Sequence, residues 1–356
     1  ELTGIPPGTE AKPPYKGAVG VCDNTGHIYA TKGNNTLGFW RYHIDSLTWT
    51  QMPDVPLGPS GKKVKGGTDM VFVQEGDTGW VYLLKGVKTD FFRFNTVTGR
   101  WDTTLPEAPA GTNAKWDKGS WLAIDDDPTW HIYAHKAKYH ELWVFDGATH
   151  TWSSSPLPGM PLVGMMGKSK KSKDGGCAAY DNGAIYALKG GNTCEFWKYT
   201  IATGTWTELD TMPSFGSTQK KKRVKAGADI VRYGDGVFFA LKGNKTNELW
   251  RYFDITGTAS RPERSGVAAT GTVQQVLFRI VPNPVTSGRA TLHFGLPFTG
   301  PATLRVFDIT GRTVRAQTVA GRGSSAVLDL RGLAAGIYLA RLDAAGLQST
   351  LKLVIK

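Results

Sequence analysis

The feature that most constrains this chain is a unit of about fifty residues that recurs along its first two-thirds. Its clearest copy reads Ile185-Tyr186-Ala187-Leu188-Lys189-Gly190-Gly191-Asn192-Thr193-Cys194-Glu195-Phe196-Trp197-Lys198-Tyr199, followed by Gly204-Thr205-Trp206. The lysine marks each copy, at Lys32, Lys85, Lys136, Lys189 and Lys242, with spacings of 53, 51, 53 and 53 residues. Within a copy, four short runs of alternating apolar and polar residues are separated by Gly, Asn and Asp turns, which is the pattern of antiparallel hairpins. In the second copy these runs are 67–73, 80–84, 90–95 and 100–103.

A fixed period near fifty, with four strands and an aromatic motif per copy, predicts a β-propeller with one four-stranded blade per repeat. Five copies imply five blades, with six or seven as open alternatives. In the third run Trp40 and Tyr42, Phe92 and Phe94, Trp143 and Phe145, Trp197 and Tyr199, and Trp250 and Tyr252 each share one face, as core residues between blades would. The fourth run carries Trp49, Trp101, Trp152 and Trp206, but the fifth copy has Ala259 where a Trp is due. The fifth blade is therefore expected to lack its outer strand. Leu2-Thr3-Gly4-Ile5-Pro6 aligns with Trp49-Thr50-Gln51-Met52-Pro53, so the amino-terminal strand is expected to close the ring. Donated instead to a neighbouring molecule, the same strand would build a polymer by strand addition.

Tyr186-Ala187-Leu188-Lys189-Gly190, then Glu195-Phe196-Trp197-Lys198-Tyr199 and Thr203-Gly204-Thr205-Trp206, with Gly66-Gly67 and Gly175-Gly176 opening the next blade, resemble Kelch repeats of exported bacterial proteins. The resemblance covers residues 1–256. It departs from the family at Gly119-Ser120 and Ala226-Gly227, and in showing five copies where six or seven are usual. Residues 257–275 turn to Gly, Ala, Ser, Thr and Pro and read as a linker. From 276 to 356 the landmarks are Val281-Pro282-Asn283-Pro284, the strand-like 290–296, Phe307-Asp308-Ile309-Thr310-Gly311-Arg312, Gly336-Ile337-Tyr338-Leu339 and Leu351-Lys352-Leu353-Val354-Ile355-Lys356. They describe a small Ig-like β-sandwich and resemble the type A sorting domain of type IX secretion. That resemblance implies a cleaved signal, passage through the outer membrane with the secretion machinery as partner, and a cell-surface or extracellular destination. In that family the domain is often removed after export. The polar, Pro-rich start at Glu1, without Met, reads as a mature chain.

No run of about 18 apolar residues occurs, so no membrane-spanning helix is expected. Three cysteines make no disulfide framework or zinc pattern; Cys22 and Cys177 are expected to be buried in strands, and a Cys177–Cys194 bridge is the alternative. Of the formal charge of +12, +7 lies in residues 276–356, which hold ten Lys and Arg against three Asp and Glu. The basic balance is thus no argument for nucleic acid. No Ser/His/Asp order, nucleophile elbow, phosphate loop or paired-His motif is present, and an enzyme is not expected. His131, His135 and His140 share one blade, but strand alternation separates them. Asp125-Asp126-Asp127 offers hard oxygen ligands for Ca²⁺, but a solvated turn is the favoured reading. No other cofactor is suggested.

The candidate site is basic. Loops between blades carry Lys62-Lys63-Val64-Lys65, Lys168-Ser169-Lys170-Lys171-Ser172-Lys173 and Lys220-Lys221-Lys222-Arg223-Val224-Lys225. A lysine precedes the first strand of every copy, at Lys16, Lys65, Lys118, Lys173 and Lys225. These five and the marker lysines are expected to form two rings around one channel mouth, where like charges focus a field that attracts anions. Asp90, Glu141, Glu195 and Glu248 stand opposite four marker lysines; Gly38 leaves Lys32 without such a partner, so Lys32 joins the candidate ligand residues. An acidic polysaccharide or lipopolysaccharide fits such a surface. Asp45-Ser46-Leu47, Asp102-Thr103-Thr104 and Asp210-Thr211-Met212 resemble O-glycosylation sites of exported Bacteroidota proteins, with Ser46, Thr103 and Thr211 as acceptors. Two functions follow: a structural module assembling with itself in an extracellular layer or filament, or a lectin-like binder of acidic glycan. A glycan-active hydrolase is the residual alternative.

Overall fold

The computed structural model describes residues 3–216, 219–234, 236–254, 278–281, 283–294, 302–308, 311–319, 325–344 and 347–356. They form strands throughout, with one 3-10 turn at Ile201–Thr203, and divide into two units, Glu1–Tyr252 and Phe253–Lys356. The first unit ends four residues before the expected limit at 256.

The repeat folds as the alternation dictates. Sheet 1 is β1 (Val19–Cys22), β2 (His27–Thr31), β3 (Phe39–His43) and β4 (Thr48–Met52), each antiparallel to the next. Sheet 2 repeats this with β5 (Asp69–Glu75), β6 (Thr78–Leu84), β7 (Phe91–Asn95) and β8 (Arg100–Asp102). Sheet 3 holds β9 (Trp121–Ile124), β10 (His131–Lys136), β11 (Glu141–Asp146) and β12 (Thr151–Trp152), with β13 (Leu157–Pro158) also on β11. Sheet 4 is β14 (Cys177–Asp181), β15 (Ala184–Leu188), β16 (Phe196–Thr200) and β17 (Thr205–Leu209). Sheet 5 has only β18 (Asp229–Gly234), β19 (Val237–Leu241) and β20 (Leu249–Phe253) among the described residues.

Aromatic residues pack the sheets together. Phe92 and Phe94 of sheet 2 join Tyr29 and Phe39 of sheet 1 in one buried cluster, and Trp197 and Tyr199 of sheet 4 join Trp121 and Tyr133 of sheet 3 in another. Each such ring removes a large apolar area from water. Inner strands neighbour one another in order, β1 beside β5, then β9, β14 and β18. They line a cavity of about 790 Å³, to which all five sheets contribute. This is the architecture of a propeller. It does not close evenly, because β18 and β1 do not pack as the other neighbours do.

The outer-strand tryptophans fix the register of the amino-terminal segment. Trp101 donates through Nε1 to Pro53 O at 2.9 Å, Trp206 to Pro158 O at 2.9 Å, and Trp49 likewise to Thr3 O at 2.8 Å. Thr3 therefore stands where Pro53 stands, in a connection that enters the following sheet. The expected pairing of residues 2–6 with the fifth sheet has no counterpart among the described residues, and Leu2 lies outside them. The expectation aligned the segment three residues too early.

The second unit is a β-sandwich. One sheet is β21 (Phe278–Val281), β22 (Arg289–Phe294) and β25 (Ser325–Asp329); the other is β24 (Thr313–Val319), β23 (Ala302–Phe307), β26 (Gly336–Ala344) and β27 (Leu347–Ile355). Alternate residues such as Leu304, Val306, Leu342 and Leu353 fill the core between them.

Candidate functional site

Antiparallel order decides which loops share a mouth of the channel. In each sheet the first strand runs away from one mouth and the second returns to it; the third leaves and the fourth returns. Every connection from one sheet to the next therefore begins and ends at that same mouth. Those connections, 3–18, 53–68, 103–120, 153–176 and 210–228, hold sixteen Lys and Arg against six Asp and Glu. Turns at the opposite mouth carry Asp23, Asp45, Asp77, Asp125, Asp126 and Asp127, and no Lys or Arg among the described residues. The first unit is electrostatically two-faced.

The two expected lysine rings meet different fates at the basic mouth. The marker lysines are buried, four of them with no exposed surface. Lys85 pairs with Asp90 at 2.7 Å, Lys189 with Glu195 at 2.5 Å, Lys136 with Glu141 at 3.9 Å, and Lys242 with Glu248. Their ammonium groups also donate to carbonyls of the incoming connection: Lys85 to Pro56 O at 3.2 Å, Lys136 to Pro109 O at 3.2 Å, Lys189 to Leu162 O at 3.0 Å. Burial holds Lys85 and Lys136 below the usual lysine range, with the facing carboxylates opposing that shift. Lys85, Lys136 and Lys189 are thus staples that tie a connection onto the sheet it enters. Lys32 is another. It lacks a carboxylate, as Gly38 requires, but donates to Pro7 O at 2.6 Å and Pro6 O at 3.4 Å and is closed to solvent. Its expected role at a ligand is thereby corrected: the amino-terminal carbonyls satisfy it.

The first-strand lysines behave oppositely. Lys16, Lys65, Lys173 and Lys225 are exposed and Lys118 is half-buried. Their backbones are used in hydrogen bonds: Asn34 N donates to Lys16 O at 3.0 Å, Thr68 Oγ1 to Lys65 O at 2.6 Å, and Gly176 N to Lys173 O at 2.8 Å, while the Lys16 ammonium lies over the Tyr15 ring, 5.0 Å from its centre. Successive positions sit against one another across the sheets. A Cβ at Gly119 would fall 1.9 Å from Lys173 O, and one at Gly175 2.4 Å from Lys225 O, so only glycine permits this approach. The lysines form an arc of five rather than a closed ring, since sheet 5 does not meet sheet 1 in the same way.

The first inner-strand position is Val19, Asp69, Trp121, Cys177 and Asp229 in turn, and all but the core residue Trp121 line the channel. Asp69 accepts from Leu122 N at 2.7 Å and Met70 N at 2.9 Å. Desolvation at the channel wall pushes its carboxyl up to about 7, with Asp229 adding repulsion, and pushes that of Asp229, which is exposed to the channel, up to about 6. The sequence reading overlooked this pair; its signal was a carboxylate at a position that is apolar in the other three repeats.

The remaining candidates do not converge. Asp125 accepts from His131 N at 2.8 Å and pairs with His131 Nδ1 at 3.0 Å, while Asp126 accepts from Tyr180 Oη at 2.8 Å. His135 is buried against Trp121, its pKa pulled down to about 3 by desolvation, and His140 Nδ1 lies 2.7 Å from Met160 O. No group of three metal-ligating side chains occurs among the described residues. Cys177 is buried, but Cys22 is exposed because β1 borders the channel, and Cys177 and Cys194 are both free thiols. Ser46, Thr103 and Thr211 are all exposed beside outer strands.

Residues 279–356 match the secretion system C-terminal sorting domain. The protein is secreted, by type IX export, to the cell surface or extracellular space. No helix is long and apolar enough to cross a membrane among the described residues. No curated protein matches the chain. Solved structures that resemble it include a structural-genomics protein from Bacteroides thetaiotaomicron VPI-5482, with 16% identity, 63% of this chain and 55% of that one covered, and a TM-score of 0.42. Others are the SapL1 lectin in complex with alpha methyl fucoside (12%, 67% and 76%, 0.42) and a thermostable family-43 glycoside hydrolase (12%, 72% and 96%, 0.43). The chain spans about half the length of the first two structures it matches. Similarities this distant carry no argument about activity.

Proposed function

We propose that the secreted protein is a non-enzymatic interaction module whose basic mouth holds a polyanion at the cell surface. One observation carries this reading: the fold takes hydrogen bonds from the backbones at Lys16, Lys65, Lys173 and Lys225, yet each of these lysines is exposed at the same mouth. Gathered on a low-dielectric rim, such charges add to one another and draw in acidic polymers such as a carboxylated polysaccharide. The test is retention on a polygalacturonate resin. The variant with Lys65, Lys118, Lys173 and Lys225 all replaced by Ser is expected to elute at much lower salt than the parent. Equal elution would refute the reading.

Self-assembly as an extracellular structural subunit has separate support. Leu249 occupies the place of Phe39, Phe91, Leu142 and Phe196, which are buried to 4% exposure or less, yet Leu249 is 62% exposed. Leu241, Val231 and Tyr233 are exposed beside it on sheet 5. An apolar sheet face of this kind suits contact with another copy. Sedimentation at rising concentration tests this: Leu249→Asp should abolish any association of the parent, and a parent that stays monomeric sinks the idea.

A further inference from the structure

Two of the five inter-sheet connections rise into small hairpins. In the one entering sheet 4, Val163 bridges Ser169 and Lys170 N donates to Leu162 O at 2.8 Å, with a turn closed by Gly167 N to Gly164 O at 2.8 Å. In the one entering sheet 5, Phe215 bridges Lys221, Lys222 N donates to Ser214 O at 2.7 Å, and Gln219 N donates to Gly216 O at 3.0 Å. Both are anchored alike. A Cβ at Gly164 would meet Glu208 Oε2 at 2.6 Å, and one at Gly216 would meet the Glu248 carboxylate at 2.3 Å, so each turn is pressed against the top of its sheet. Met165 N also donates to Glu208.

What these hairpins display is at odds with a purely polar ligand. Met165 is 70% exposed and Met166 75% exposed at the first tip; Val163 and Phe215 are more than half exposed on the two outgoing arms. The return arms carry Lys168, Lys170 and Lys171 on one hairpin, and Lys221 and Lys222 on the other. Large apolar side chains held out in water are unfavourable unless something covers them. A polysaccharide would occupy the lysines and leave the methionines wet. A surface with acidic headgroups over hydrocarbon satisfies both sets at once, because apolar tips enter the acyl boundary while lysines stay among phosphates. The acidic opposite mouth fixes the orientation, since it is repelled by the same surface.

We infer that the basic mouth docks on an anionic lipid surface, with Met165, Met166 and Phe215 inserted and the flanking lysines on the phosphate headgroups. The inference rests on the anion-binding reading of this mouth and names the surface it meets. The experiment compares the full chain on vesicles of phosphatidylcholine alone, vesicles of phosphatidylcholine with phosphatidylglycerol, and the polygalacturonate resin. Binding to the mixed vesicles and not to phosphatidylcholine alone is expected, together with retention on the resin. Replacing Met165, Met166 and Phe215 together by Ser should weaken that binding about a hundredfold while leaving resin retention unchanged. Tryptophan emission then checks that the variant is folded. Vesicle binding that survives this replacement, or resin retention without vesicle binding, overturns the lipid inference and leaves the polyanion reading standing. Failure to bind either one overturns both.

Discussion

Replacing Lys189 by Met should destabilise the first unit far more than the same change at Lys32, although both lysines are buried staples at equivalent positions. Removing Lys189 takes the ammonium 2.5 Å from Glu195 Oε2 and leaves that buried carboxylate with Trp197 Nε1 at 3.2 Å. A stranded buried charge costs roughly 3–5 kcal/mol. Lys32 has no carboxylate to strand; its loss frees the carbonyls of Pro6 and Pro7, a matter of roughly 1 kcal/mol. With a urea m-value of about 3 kcal/mol/M, the two midpoints should fall by roughly 1–1.7 M and about 0.3 M. All twelve tryptophans lie between Trp40 and Trp250, so their emission reports the first unit alone. The double change Lys189→Met with Glu195→Gln should recover most of the loss. Equal shifts for the two single variants, or no recovery in the double, would refute the assignment of the penalty to the stranded carboxylate.

Two further outcomes follow from the geometry. Gly175→Ala should lower stability by roughly 2–3 kcal/mol, because φ is +89° and the new Cβ meets Lys225 O, whereas Gly183→Ala, with φ +75° and open space around it, should lose only about 1 kcal/mol in the same denaturation assay. Asp69 binds its proton more tightly in the folded chain than in the unfolded one, since its carboxyl is raised to about 7. Its contribution is therefore full below about pH 4 and lost as pH rises through 7. Channel water moderates the effect to roughly 2 kcal/mol. Asp69→Asn should leave the pH 4 midpoint unchanged and raise the one at pH 8; a parallel shift at both would refute the titration.

Local patterning made much of the fold legible. Strand alternation and Gly-Asn-Asp turns gave the four-stranded sheets nearly to the residue, as in 80–84 against Thr78–Leu84, and the facing pairs Lys85–Asp90, Lys189–Glu195 and Lys242–Glu248 followed from cross-hairpin register. These depend on residues a few positions apart. The amino-terminal register was misjudged by three residues because weak local similarity cannot see the Trp49–Thr3 hydrogen bond, a contact across 46 positions.

Sequence by itself determined the repeat, the aromatic core and the basic mouth, because period, alternation and antiparallel return are local rules that fix which loops share a face. Only the tertiary structure decided which lysines are available. Both sets sit at fixed places in the repeat, and nothing in their spacing separates them. Packing does: the marker lysines are buried and, Lys32 apart, spent on facing carboxylates of their own sheets. Lys32, Lys85, Lys136 and Lys189 also donate to carbonyls of the incoming connection, while the first-strand lysines lend their backbones and, Lys118 apart, stay exposed. Exposure of Met165, Met166 and Phe215 was decided in the same way, by turns pressed onto Glu208 and Glu248 that leave those side chains facing out.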